Sequence, residues 1–340
     1  MTSIQRLIFC FAVLLLGATP PALAATFCVK TSAEFQSALN TAASNASNDN
    51  IFLTTGTYAV GAQEFVFNSS EAYSLRVTGG FGTDCFTQTR NAALTVLDGL
   101  SQSQILNLTT SNIVELHFLT LQNGSRSGSS GGAMQVDGIG NASQVLLANN
   151  IIRNSSSDYG VSGAIFSVAG TVTLQGNLVT GNTGPGGPIY IGGETRVAVH
   201  LTSNTVVGNA ADPGSPAIVY VGAGSDVPMD ASNNIFWSNT GAPDLDFVGG
   251  AMLLMNNDYQ RIDATLGDGS SGNLSVDPQF VSTTHFHLRA TSPLLGIGTL
   301  VPPGGLTDFD LDGHNRISHN AIDLGAYENE EGIFADGFEM

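Results

Sequence analysis

A repeat of about 28 residues limits what this chain can fold into. Four segments in the middle of the chain each begin and end with Asn, five residues apart. They are residues 149–154, 177–182, 204–209 and 234–239. Their first residues are separated by 28, 27 and 30 positions. A repeat of this period indicates a solenoid, because one unit cannot bury its apolar face alone and successive units must stack to form a core.

The residues within each unit favour β-structure over helix. Apolar positions keep step with the asparagines, two residues after the first Asn and three residues before it. They are Ile151, Val179, Val206 and Phe236, and Leu146, Leu174, Leu201 and Ala231. The units show no helical periodicity. They consist of short β-branched runs separated by Gly, Asn, Ser and Pro. The pattern predicts an all-β parallel β-solenoid with three short strands per coil.

The asparagines themselves have two readings. Asn tolerates left-handed backbone at sharp corners, and Asn stacked on Asn in neighbouring coils forms an amide ladder that satisfies buried polar groups. The other reading is contact with a ligand. We expect corners or ladders.

The N-terminal region indicates export and a capped end. Residues 1–24 contain Arg6, an apolar run and a small-residue cleavage site, as in a secretory signal peptide. Residues 25–50 are predicted as an N-terminal cap, with one helix over 31–43 that begins at Ser32 as N-cap. Such a helix covers the open end of a solenoid, where unpaired strand edges promote aggregation.

The cysteine count predicts a disulfide, and the net charge restricts the classes of molecule that the protein can bind. Cys28 and Cys85 remain after signal removal, and an even pair in an exported chain predicts a disulfide, with two free thiols as the alternative. The net charge of −18 repels nucleic acid, which requires a basic surface. The apolar run of the signal peptide is too short to cross a bilayer. We expect no transmembrane span in the mature chain.

The C-terminal part carries the most specific motifs. They are Asp277-Pro278-Gln279-Phe280, Ser292-Pro293-Leu294, Asp310-Leu311-Asp312-Gly313 with Arg316, and Asp323-Leu324-Gly325-Ala326-Tyr327-Glu328. Residues 272–328 resemble the C-terminal signature of bacterial choice-of-anchor Q domain-containing proteins. The coils resemble the right-handed parallel β-helix of the pectin-lyase-like superfamily, over most of residues 51–328. The resemblance implies a bacterial surface or secreted protein, and residues 329–340 are predicted as a C-terminal tail. Residues 332–339 resemble a short ending of other secreted bacterial proteins, which implies sorting or processing; a final strand or a disordered terminus is the alternative.

The superfamily includes polysaccharide lyases and glycoside hydrolases, so acidic groups in the coils are candidate catalytic residues. Asp158, Asp212 and Asp244 follow the second Asn of their coils and are expected along one edge, with Arg153 and Arg196 as the basic residues. The candidate ligand-binding residues are Asp158, Tyr159, Asp212 and Trp237, the last as a ring that stacks on a sugar. The motif strings of pectate lyases and polygalacturonases are absent. A solvated acidic rim is the plain alternative.

A metal site is predicted at one loop only. Asp308, Asp310 and Asp312 alternate before Gly313, which places hard oxygen ligands around a turn, as Ca²⁺ prefers. His319 stands where an EF-hand loop has its bidentate Glu. A plain Asp/Gly turn is the alternative.

These observations predict a secreted or cell-surface β-helix module, non-catalytic, that presents a polar face to a polysaccharide or a cell-surface protein. Two alternatives stay open. One is a polysaccharide lyase or glycoside hydrolase that uses the acidic edge, and the other is a structural spacer. The geometry of Asp158, Asp212 and Asp244 separates them.

Overall fold

The computed structural model describes residues 24–61, 63–192, 198–222, 228–263 and 265–329. It confirms an all-β parallel β-helix, with about eight coils and one α-helix. Each regular coil contributes one strand to each of three long parallel sheets, as the repeat predicts. Most of the predicted signal peptide and of the predicted tail lies outside the described residues. No helix in the described ranges is long and apolar enough to cross a membrane.

The strands are grouped here by sheet, in their spatial order. Sheet A contains β1 (Ala25–Val29), β2 (Asp49–Thr54), β5 (Leu75–Phe81), β8 (Ile113–His117), β12 (Gln144–Ala148), β16 (Thr171–Gln175), β20 (Ala198–Thr202), β24 (Met229–Ser232) and β27 (Leu253–Met255). Sheet B contains β3 (Gly56–Ala59), β6 (Thr95–Asp98), β9 (Thr120–Gln122), β13 (Ile151–Arg153), β17 (Leu178–Thr180), β21 (Thr205–Val207), β25 (Ile235–Trp237) and β28 (Asp258–Tyr259).

Sheet C contains β4 (Phe65–Asn68), β7 (Leu106–Thr110), β11 (Met134–Gly138), β15 (Ile165–Val168), β19 (Ile189–Gly192), β23 (Val219–Gly222), β26 (Leu245–Val248) and β29 (Ile262–Asp263). A short sheet D contains β10 (Ser125–Arg126), β14 (Ser156–Ser157), β18 (Thr183–Gly184) and β22 (Ala210–Ala211). An antiparallel hairpin follows, β30 (Phe280–Ser282) and β31 (His285–Leu288). The helix is α1 (Ser32–Ala42), and a 3₁₀ turn covers Ala92–Leu94.

Stacked columns of inward side chains form the core. Their register corrects the predicted match between the first repeat and the later ones. Ile152, and not Ile151, pairs with Val179. Leu147, and not Leu146, pairs with Leu174. The first regular coil therefore begins one residue later than the Asn149 alignment predicts. Ile151 consequently faces outward on sheet B.

An asparagine ladder explains this shift. Its members are Asn150, Asn177, Asn204, Asn234, Asn257 and Asn273. In each step, the side-chain oxygen of one Asn accepts hydrogen bonds from the backbone and side-chain nitrogens of the preceding one, as at Asn177 and Asn204 (both 3.0 Å). Asn149 is not a rung. It takes the left-handed corner just before the ladder (φ 55°), where the next coils have Gly176 and Ser203. The predicted ladder is thus confirmed.

A second ladder occupies the next corner. It consists of Asn182, Asn209 and Asn239, with Ser155 in the first coil where the sequence alignment has Asn154. Asn154 again holds the left-handed position (φ 52°) beside it. Except for the last members, Asn273 and Asn239, which are partly buried, the asparagines of both columns are buried. They serve the backbone, so the alternative of ligand contact finds no support for these residues.

The helix α1 covers the N-terminal end, as predicted. Its N-cap is Thr31 and not Ser32, because the Thr31 hydroxyl accepts the hydrogen bond from the Glu34 amide (3.2 Å). Phe35 is fully buried and packs on the Phe65 ring of the terminal strand of sheet C, at 4.8 Å between centroids. The Cys28–Cys85 disulfide is confirmed, with the Cα atoms 5.8 Å apart.

Residues 277–329, the C-terminal flank, lie along the outside of the β-helix. Leu311 and Ala326 of the flank pack against Ile151 and Leu178, which are outward-facing apolar residues of sheet B. Corner asparagines hold its backbone, since Asn149 donates to the Phe309 carbonyl (3.0 Å). The flank thus covers a strip of outward apolar side chains on sheet B that would otherwise be exposed to water.

A buried ionic cluster stabilises the flank. Arg316 is 1% exposed, and its Nε lies 3.2 Å from a carboxylate oxygen of Glu328. Its Nη2 donates to the carbonyl oxygens of Asp323 (3.0 Å) and Gly325 (2.6 Å). The C-terminal signature, the most specific motif of the sequence, therefore encodes a structural motif. In it, the buried guanidinium of Arg316 binds the segment from Asp323 to Glu328.

Candidate functional site

The acidic edge predicted from the sequence is only partly assembled. Asp158 and Asp212 follow β14 and β22 at the same register position, with one coil between them. Coil spacing places them roughly 10 Å apart. The carboxylate of Asp158 accepts hydrogen bonds from the Gly128 amide and the Ser127 hydroxyl (both 2.8 Å), which lower its pKa. Tyr159 beside it is 68% exposed.

Asp244 does not join this edge, because its carboxylate is 3% exposed and points into the structure. It accepts hydrogen bonds from the Asn239 side chain (3.0 Å) and from the amides of Gln260 (2.9 Å) and Arg261 (3.1 Å). Burial raises its pKa against these hydrogen bonds. Asp244 ends the second asparagine ladder and has a structural role.

The basic residues of the coils do not complete a catalytic arrangement. Arg153 donates to the Gln122 side-chain oxygen of the neighbouring coil through Nε (3.0 Å) and Nη2 (2.6 Å). In the described ranges, no hydrogen bond or ion pair joins Arg153 to Asp158, Asp212 or Asp244. Arg196 lies outside the described residues. The predicted hydrolase or lyase site thus gains no support from the geometry.

The predicted calcium loop uses its carboxylates internally. Asp310 is fully buried and accepts hydrogen bonds from the amides of Asp312 (3.0 Å), His314 (2.7 Å) and Glu328 (2.9 Å). Asp312 lies 2.6 Å from Nε2 of His287. Asp308 is exposed. The described part of the chain contains no group of three or more His, Cys, Asp or Glu side chains able to hold a metal ion, so calcium stays a prediction without geometric support.

A different site forms where the hairpin of β30 and β31 meets sheet B. Here a groove of about 790 Å³ lies between the outward face of β17, β21 and β25 and the hairpin. Its apolar lining consists of Val207, Trp237, Phe280 and Phe286. We call it the aromatic groove. Its volume is in the usual range for small-ligand pockets.

The floor of the aromatic groove follows from strand register. Thr180, Val207 and Trp237 occupy the same outward position in three successive coils. Neighbouring coils lie about 4.8 Å apart, so the floor is a row of regularly spaced contacts. Trp237, predicted as a sugar-stacking residue, is half-buried here. The structure places it in the groove together with residues that the coil repeats do not contain.

The wall of the groove comes from the flank. The Phe280 and Phe286 rings meet edge to face, with centroids 5.5 Å apart and an interplanar angle of 84°. This arrangement suits aromatic pairs and holds both rings in place. Phe280 opposes Leu288 across the hairpin, and Leu288 is anchored in the apolar cluster under it.

Polar groups stand at the groove margin. Arg289 Nη2 donates to the Val281 carbonyl (2.9 Å), and Asp277 accepts the Gln279 amide (2.9 Å). Gln279 accepts the Thr291 hydroxyl (2.7 Å). An apolar floor with a few oriented polar groups is typical of small-molecule and sugar sites.

Sequence reasoning did not find Phe280, Phe286 and Arg289 as site residues. The two phenylalanines belong to the C-terminal signature, but a signature does not show which face of the coils it packs against. One signal was available. Outward positions of sheet B are apolar at Ile151, Leu178 and Ile235, which indicates a covered face.

A second aromatic cluster lies on the outer face of sheet C but offers less to a ligand. Phe166, Tyr190 and Tyr220 stack in successive coils, with centroids 5.3 and 5.2 Å apart. The interplanar angles of 9° and 18° mean that neighbouring rings cover each other's faces. The stack presents ring edges, whereas sugar stacking needs an open face.

In comparisons with known proteins, no family model matches the chain, and no curated protein or solved structure matches it either. The β-helix is shown by the structure alone. The resemblance to the choice-of-anchor Q and pectin-lyase-like families stays a prediction.

Proposed function

We propose that this chain is an exported β-helix module that binds a glycan in the aromatic groove and performs no chemistry on it. The observation that carries this proposal is the convergence of Trp237, Phe280 and Phe286 beside polar groups in one cavity. Aromatic faces contact the apolar faces of sugar rings, and polar groups at the margin orient the hydroxyls.

Charge favours a neutral over an acidic glycan. The chain carries a net charge of −18, which repels polyanions at long range. Arg289 is the one basic side chain among the groove-lining residues of the described chain. A neutral polysaccharide at a cell surface fits this balance.

The setting of the proposal is the bacterial cell surface or the extracellular medium. The apolar N-terminal segment typical of a signal peptide supports it, and so does the Cys28–Cys85 disulfide, since disulfides persist in oxidising compartments. Membership in the choice-of-anchor Q group would agree with this setting, and rests on the residue pattern of 272–328.

Trp237 makes the test direct, because it is the only Trp in the chain. Purified protein is titrated with a panel of neutral and acidic polysaccharides while Trp emission is recorded, and binding is measured independently by affinity electrophoresis. We expect a neutral polysaccharide to shift the emission and retard the protein.

The variant Trp237→Ala should raise the dissociation constant obtained from that retardation by about tenfold or more, because it truncates a central aromatic contact. The matched control is Phe86→Ala, since Phe86 is 89% exposed and does not line the groove. Equal retardation of Trp237→Ala and the unchanged protein would refute the groove as the site. Release of reducing or unsaturated ends during the incubation would refute the non-catalytic part.

A further inference from the structure

Part of the flank forms a strap over the outward face of sheet A. The strap consists of residues 298–307. Asn233 holds its first half, because the Asn233 side chain donates to the Thr299 carbonyl (2.9 Å) and accepts from the Thr299 amide (2.7 Å). Gln175 holds its second half by donating to the Gly304 carbonyl (2.5 Å). The strap therefore covers outward side chains of β20 and β24 that water would otherwise reach.

Three side chains beneath the strap each have an oxygen atom without a hydrogen-bond partner among the described residues. The atoms are Oδ1 of Asp230, Oγ1 of Thr202 and Oγ of Ser232. These residues face outward, since they alternate along β20 and β24 with the core residues Leu201 and Ala231. Asp230 is nevertheless only 2% exposed, and the other two are fully buried. Buried polar atoms are ordinarily paired, so these three point to a bound group.

The three oxygens converge on one small space. Thr202 lies directly opposite Ser232 in the neighbouring coil, and Asp230 lies two residues before Ser232 on the same strand. Gly304 of the strap forms the roof. A methyl group on Gly304 would lie 2.7 Å from Oγ1 of Thr202 and 3.4 Å from Oδ1 of Asp230. The space is therefore of the size of one small ion or one water molecule.

The charge of Asp230 decides what suits this space. Its second carboxylate oxygen lies 2.5 Å from Nδ1 of His200. Among the described residues, His200 is the only basic side chain that pairs with Asp230. A neutral imidazole can donate a hydrogen bond to the carboxylate, but it leaves the negative charge uncancelled. Buried charges are ordinarily paired or bound to a metal ion.

We propose that this space binds a monovalent cation, Na⁺ or K⁺, through Asp230, Thr202 and Ser232. Carboxylate and hydroxyl oxygens are hard donors, which suit such ions. One carboxylate balances one positive charge, whereas Ca²⁺ takes six to eight oxygen ligands. The bound cation links β20 to β24 and stabilises the surface on which the strap packs. None of its ligands lines the aromatic groove, so the inference is independent of the proposed function.

Thermal unfolding in different chloride salts tests the site. The full chain is heated in sodium, potassium or choline chloride at equal ionic strength, and unfolding is followed by circular dichroism. Choline is too large for the space and serves as the reference cation. We expect Na⁺ or K⁺ to raise Tm by about 2 °C or more relative to choline, because a ligand that binds only the folded state stabilises it.

Three variants assign that rise to this site. Thr202→Val and Ser232→Ala each remove one oxygen with little change of shape, and Asp230→Asn removes the charge. Each variant should abolish the difference between choline and the alkali cations. The matched control is Thr171→Val, since Thr171 is a half-buried outward residue of β16 in the same sheet. It should keep the full difference.

Equal Tm values in the three salts would overturn the inference, and would mean that a water molecule bridges the three oxygens. A rise that persists in all three variants would also overturn it, because it would come from screening of the negative surface. Stabilisation by calcium chloride at equal ionic strength, without any by sodium or potassium chloride, would refute the assignment of a monovalent cation.

Discussion

At the scale of single residues, the asparagine ladders define the register of this molecule. Each rung satisfies donors and acceptors of two neighbouring coils in a place where water is excluded. Asn204 accepts from the Asn177 backbone and side chain, and donates to the Leu174 carbonyl (2.8 Å) and to Asn234 (3.0 Å). Its side chain therefore connects three coils.

Replacing Asn204 by Ala should lower the free energy of unfolding by about 3 kcal/mol or more, because several buried polar groups lose their partners. Asn204→Asp should be more harmful, since the new carboxylate oxygen faces the Leu174 carbonyl. The measurement is urea unfolding followed by circular dichroism. Asn315→Ala, at an exposed position, serves as the control. A loss below about 1 kcal/mol for Asn204→Ala would contradict the role of the ladder.

Residue identity alone could not show which Asn of a pair is the rung. Asn149 and Asn150 are adjacent, and both choices keep the apparent period. The choice depends on which residue takes the left-handed corner, and Gly176 and Ser203 reveal it only once the coils are stacked. The ladder was predictable as a motif, while its register in the first coil was not.

At the scale of elements, the N-terminal end shows how a β-helix protects an open edge. Gln36 of α1 imitates a neighbouring strand, since its side-chain oxygen accepts the Val66 amide (2.9 Å) and its nitrogen donates to the Val66 carbonyl (2.8 Å). Val66 lies in β4, the terminal strand of sheet C. The helix thus shields backbone groups that would otherwise pair with another chain.

Gln36→Ala should leave the fold intact but promote self-association through β4. We expect a concentration-dependent rise in mass by light scattering, and an earlier onset of aggregation on heating. Ser37→Ala is the matched control, because Ser37 is exposed on the same helix. Monodisperse Gln36→Ala protein with an unchanged onset would show that the helix and not this side chain protects the edge.

The helix was predictable from the helical run before the first strand, and the disulfide from the presence of only two cysteines after the predicted signal peptide. The hydrogen bonds between Gln36 and Val66 were not, because a Gln on a helix does not indicate in the sequence which strand it contacts. The aromatic groove was likewise predictable only in part. Its floor residue Trp237 was predictable from register, whereas Phe280 and Phe286 arrive through packing of a segment that has no repeat.

At the scale of the whole molecule, the flank and the last coils hold more buried acidic groups than their neighbours can neutralise. Burial raises the pKa of Glu328 to about 8, against the attraction of Arg316. In β8, the fourth of the nine strands of sheet A, burial of Glu115 opposes ionisation, but hydrogen bonds from His117 and Arg76 outweigh it and lower its pKa to about 2. The stability that Glu328 contributes should therefore fall as the pH rises, whereas the stability that Glu115 contributes should fall as the pH drops.

Asp258 offers the sharpest test of the C-terminal end. It is fully buried, and only one of its carboxylate oxygens has a partner, the Val276 amide (2.9 Å). Burial, reinforced by the nearby carboxylates of Asp244 and Asp277, raises its pKa to about 6. A pKa raised by folding adds stability that is complete below the unfolded pKa, near 4, and is lost as the pH rises through 6.

Asp258→Asn keeps the shape of the protonated acid and removes its titration. Between pH 4 and pH 7 the unchanged protein should therefore lose roughly 2 kcal/mol of unfolding free energy relative to Asp258→Asn. Unfolding curves of both proteins at several pH values measure this difference. Asp308→Asn, at an exposed carboxylate, should show no such change relative to the unchanged protein. A constant difference between the unchanged protein and Asp258→Asn would mean that Asp258 is ionised throughout that range, and that the packing of the last coils stabilises its charge.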